Sequence, residues 1–144
     1  MIQRKQTLFL LLAAIVLICV LFMPLGYIYG EQGMQSTISA FSSNPGSPIG
    51  YGITLSVAII IALADIFLWK NRPLQMRVAT LDLLLVILSY GVFFIYHSNA
   101  EGGEIRYTVQ VANFLPIIAI FFLALAIQGI RKDEKLIKSL NRIR

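Results

Sequence analysis

At 144 residues the chain is long enough for one domain, and 58% of it is apolar while only 13% is charged. Soluble domains carry about 25% charged residues, so the composition points to a membrane protein and against a soluble enzyme. The formal net charge of +5 is not laid out as a basic face interleaved with aromatics, which argues against nucleic acid as a partner.

The N-terminal "MIQRK" leads into an apolar run over residues 7–29. The run is too long for a signal peptide, and no small-x-small cleavage site follows it. It is read as a retained helix. Its single cysteine, Cys19, has no intrachain partner and is no metal site alone. It is read as a packing residue. Residues 30–50 form a loop with turn chemistry in "SSNPGSP". Within it "MQSTISAF" suits a short strand or a segment lying along the membrane.

A second apolar segment spans residues 52–69 and holds one charge, Asp65. The basic turn "KNRPLQMR" follows. A third segment spans 78–96 and again holds one charge, Asp82. In "HSNAEGGEIRYTVQ" the part "EIRYTV" alternates as a strand would, so a small two-stranded cap is one expectation. His97 has no second His or Cys nearby and reads as a solvated interfacial histidine. The fourth segment, 109–130, carries no charge, and its Asn113 and Pro116 suggest a kink near its outer end.

Each of the four segments approaches the roughly 20 apolar residues that a spanning helix needs. Helices are favoured because hydrocarbon offers bare backbone groups no partner. The expected fold is therefore an all-α integral membrane four-helix bundle, a single membrane domain over residues 1–144. Eleven of the twelve lysines and arginines fall at the N-terminus, in the 70–77 turn and in the tail; Arg106 is the exception. The positive-inside rule then places both termini in the cytoplasm. Tyr27, Tyr29, Tyr51, Tyr96 and Tyr107 cluster at the opposite helix ends, as an interfacial belt would.

Residues 131–144 form a basic tail. Leu136, Ile137, Leu140 and Ile143 recur at helical spacing among Lys135, Lys138 and Arg142. This face suits a helix on the anionic inner leaflet, a solvated extension of the fourth helix, or a partner-binding segment.

The start "MIQRKQTLFLLLAA", the turn "KNRPLQMR" and the end "LPIIAIFFLALAIQGIRKDEKLIKSLNRIR" together resemble the bacterial family catalogued as domain of unknown function 4293. The resemblance implies a small integral membrane protein, best known from Bacteroidota-type bacteria; with the charge asymmetry, the inner membrane is the expected location. It brings no activity, cofactor or catalytic residue with it.

Asp65 and Asp82 lie five residues either side of Lys70 and Arg77, each about 7–8 Å inside its helix. Asp65 shares a helix face with Ala58 and Ala62, and Asp82 with Ser89, so both acids are expected to point inward. Their same-helix cations are badly placed for pairing. Gln6, Gln128, Arg4, Lys5 and Arg131 are the candidate partners. The residues show no catalytic triad, metal-ligand set or phosphate loop, so neither enzyme activity nor a cofactor is expected. The leading expectation is a non-catalytic accessory or scaffold subunit, with the bilayer and other membrane proteins or itself as partners. The alternative is a small oligomeric transporter coupled to protons or cations.

Overall fold

A computed structural model describes residues 3–30, 33–41, 48–100, 105–106 and 110–141. Its four long helices are α1 (Gln3–Phe22), α2 (Ile49–Phe67), α3 (Arg72–Ala100) and α4 (Leu115–Asn141). Each is long and apolar enough to cross a membrane. Three strands, β1 (Gly26–Gly30), β2 (Gly33–Ile38) and β3 (Ile105–Arg106), make a small antiparallel sheet in the order β2-β1-β3.

Prolines set the helix boundaries. Pro24 follows the end of α1, where a residue without an N–H cannot continue the ladder. The first helix therefore stops at Phe22 rather than reaching residue 29. The β-favouring "YIY" beyond it becomes β1, so the sheet has three strands, not two. Pro48 immediately precedes α2, while Pro73 and Pro116 sit in the first turns of α3 and α4, where a missing N–H costs nothing. Pro116 thus starts a helix and does not kink one. The short 3-10 turns Leu68–Lys70 and Val111–Asn113 complete the joins into α3 and α4. Helices α3 and α4 are longer than the apolar segments that predict them. α4 runs on without a break through the basic segment as far as Asn141. Ile143 lies outside the described residues.

Each helix packs on its neighbours in chain order, and α4 closes the ring on α1. Most buried positions follow one rule. They are Gln6, Leu10, Ala13, Leu17 and Val20 on α1; Tyr51, Leu55, Ala58, Ala62 and Asp65 on α2; and Gln75, Ala79, Asp82, Val86 and Ser89 on α3. All three series step by four, then three, residues. On α4, Ala119, Leu123, Ala126, Ile130 and Asp133 step by four and three in the same way. A 3–4 seam is the spacing of helices packed at about 20° in a bundle. Alanines at these seams let backbones approach closely, which is how helices gain contact in lipid.

At the sheet end, Gly52 of α2 is required by close approach: a Cβ there would lie 2.8 Å from the Ala40 carbonyl oxygen. Tyr51 is 1% exposed, with its ring 5.2 Å from that of Phe93. It belongs to the core, not to an interfacial belt. Cys19 is exposed on α1, so it is not a buried packing residue.

Candidate functional site

The polar side chains buried by the bundle form two groups towards the end that carries Lys5, Lys70, Arg72, Arg77 and Arg131. The first group ties α1 to α4. Gln6 Nε2 donates to Asp133 Oδ2 at 2.6 Å, and both residues are buried. The contact depends on Gly129, where a Cβ would come within 2.9 Å of the Gln6 Cγ. Asp133 lies on the α4 seam, three residues after Ile130, so the helix that carries it must continue past the apolar run.

The second group joins α2 to α3. Asp65 and Asp82 are 0% and 1% exposed. None of their four carboxyl oxygens has a hydrogen-bond partner among the described residues. The two acids lie on the buried seams of neighbouring, directly packed helices. Their depths differ from the symmetric expectation. Asp65 is two residues from the end of α2, whereas Asp82 is ten residues beyond Arg72, because α3 begins inside the basic turn. At 1.5 Å per residue Asp82 lies deeper by roughly one turn. Gln75, seven residues before Asp82, sits between this pair and the basic end. Its amide donates to the Asp65 backbone carbonyl at 3.3 Å, which also accepts from the Leu68 N–H as α2 ends.

The candidate partners go elsewhere. Gln6 binds Asp133, not Asp65 or Asp82. Gln128 is exposed, because it lies two residues off the Ala126–Ile130 seam. Lys5 and Arg131 are exposed as well, and the Arg4 side chain lies outside the described residues. Sequence reasoning missed Asp133 and Gln75. Asp133 was hidden among the charges of "RKDEK", and Gln75 among those of the turn. Their seam spacing, seven from Ala126 and seven from Asp82, is the signal that finds them.

Further polar contacts lie towards the sheet. Ser89 Oγ bonds the Val86 carbonyl at 2.6 Å. The Tyr90 hydroxyl donates to the Asn113 carbonyl at 2.6 Å, tying α3 to the turn before α4. No group of three or more His, Cys, Asp or Glu suited to a metal ion occurs among the described residues.

The family model described as domain of unknown function (DUF4293) matches residues 2–143. The chain belongs to this family. No curated protein and no solved structure matches it. The match takes in all four apolar helices and the helical continuation of α4.

Proposed function

We propose that this protein is a small membrane carrier coupled to protons or cations, with the Asp65–Asp82 pair as its coupling site. The observation that carries this reading is two carboxyls, fully buried, with all four oxygens unpartnered. A clasp between helices would require a cation or a donor on each carboxyl, and none reaches them among the described residues. Burial without such a partner is tolerable for a neutral carboxyl and costly for an ionised one. Acids inside a membrane bundle commonly mark proton or ion paths for this reason. At no more than 1% exposure, only a proton reaches the pair without a rearrangement. Release of that proton leaves one negative charge. A cation or cationic solute then replaces it, one positive charge for another. Four helices enclose little volume, so the carrier works as an oligomer.

Reconstitution into liposomes with a pH-sensitive dye inside tests this. Addition of Na+ or K+ outside should change the internal pH with the native protein. Asp65→Asn and Asp82→Asn should abolish the change while melting normally. Asn variants that behave as the native protein does would remove the pair from the mechanism.

A second reading, an accessory or scaffold subunit of a larger membrane complex, is favoured by a different feature. α4 continues past the bundle and leaves Leu136, Ile137 and Leu140 exposed. Affinity purification from native membranes in mild detergent separates the two. A stoichiometric larger partner supports the subunit, and a homo-oligomer supports the carrier.

A further inference from the structure

We infer that the groove between α3 and α4 at the basic end binds the headgroup of an anionic glycerophospholipid. The groove is an opening of about 370 Å³ lined by Met76, Arg77, Thr80, Leu81 and Arg131. Two arginines thus line one cavity from two helices. Neither has an ion-pair partner among the described residues. The acids nearby are committed elsewhere: Asp133 accepts from Gln6 at 2.6 Å, and Glu134 pairs with Lys138 at 2.8 Å. Asp65 and Asp82 are buried inside the bundle. The groove therefore carries two uncompensated positive charges. Thr80 spends its hydroxyl proton on the Met76 carbonyl at 2.7 Å and offers an anion no donor. The arginines are the donors, and a phosphate oxygen pair is what two guanidinium forks fit.

The surroundings choose a lipid over a free anion. Arg77, Leu81, Leu84 and Leu88 are spaced by four, three and four residues, so they form one stripe on α3. The three leucines are 61%, 55% and 58% exposed. A charged head with an apolar track below it is the shape of a phospholipid. Arg131 is the first charge after the apolar run of α4, so its headgroup plane is the end of that run. Gln128, one turn before Arg131 on the same face of α4, is exposed too, where its amide would meet the glycerol esters of a lipid whose headgroup sits on Arg131. That placement gives a physical reason for a polar side chain outside the seam. Basic pockets between spanning helices recognise anionic headgroups in this way.

Native mass spectrometry of the detergent-purified protein, titrated with phosphatidylglycerol or phosphatidylcholine, provides the test. The native protein should retain phosphatidylglycerol in preference to phosphatidylcholine. Arg77→Gln with Arg131→Gln should weaken phosphatidylglycerol binding on the order of tenfold or more. Lys132→Gln with Lys135→Gln removes the same charge outside the groove and should change binding by less than about threefold. Circular dichroism should show both variants folded, since all four side chains are exposed. Equal losses in the two double variants would reduce the effect to general charge and overturn the site. Displacement of the lipid by millimolar inorganic phosphate would show a site for free anions and overturn the lipid assignment. Equal retention of phosphatidylcholine would do the same.

Discussion

Asp65 and Asp82 differ from Gln6 and Asp133 in one respect that decides how each will respond to mutation. Among the described residues the second pair is satisfied and the first is not. Removing an unpartnered buried carboxyl removes a desolvation cost and no bond. Asp65→Leu and Asp82→Leu should therefore melt in detergent at or above the native temperature, stabilising by up to about 2 kcal/mol. A drop of several degrees in either variant would mean that the carboxyl holds a partner after all. The opposite is expected at Asp133→Leu, which strands the Gln6 amide. Interhelical hydrogen bonds in membranes are worth about 0.6 kcal/mol on average and about 1.7 at most, so its loss should lie in that range. Gly129→Ala should reproduce it by displacing Gln6, and combining the two should cost little more than one alone, since both break the same contact. That each acid lies on a seam is legible from sequence, because Ala58, Ala62 and Ser89 share its helix face. Which group meets it is not. Partner choice depends on the rotation and depth of four helices at once, and a shift of one or two residues sends Gln128 outward and Gln6 to Asp133.

At the scale of the elements, apolar runs locate helices well and end them badly. Hydrocarbon length sets only a minimum, so the charged start of α3 reads as turn although it is helical, and the tail's helical spacing leaves open whether it extends α4, as it does. The start of the sheet was obscured for the converse reason: "YIY" is as apolar as the helix before it, and only Pro24 separates the two. The continuous α4 sharpens the prediction for its end. Its Leu136 and Leu140 are 53% and 67% exposed, with Lys135 and Lys138 alongside. An amphipathic face edged by cations binds through apolar area and charge together. Leu136→Asp with Leu140→Asp should weaken partner recovery from native membranes, or release a peptide of residues 131–144 from anionic vesicles, while leaving the melt unchanged. If neither readout moves, the face contributes charge alone.

The molecule as a whole has a polarity that the bundle makes explicit. Gln6 and Asp133 touch, so the first turn of α1 and the late turns of α4 share one end. The α2–α3 connection lies at the same end, since the chain crosses the bundle four times in alternating directions. Lys5, Lys70, Arg72, Arg77, Arg131, Lys132, Lys135 and Lys138 all gather there, and β3 with Arg106 lies at the other. Lysines and arginines are retained on the cytoplasmic side of a bacterial inner membrane. The basic end is therefore predicted to face the cytoplasm and the sheet to face the periplasm. Cys19 must first be replaced by alanine, because it is exposed on a spanning helix and would itself react. Single cysteines at Ser98 and Ser139, both exposed and near opposite ends, then report orientation. A membrane-impermeant maleimide added to intact cells with a permeabilised outer membrane should label residue 98 and spare residue 139 until the cells are lysed. Labelling of residue 139 in intact cells would invert the topology. It would also place the arginine groove on the periplasmic leaflet and reverse the direction in which the Asp65–Asp82 pair would exchange its proton.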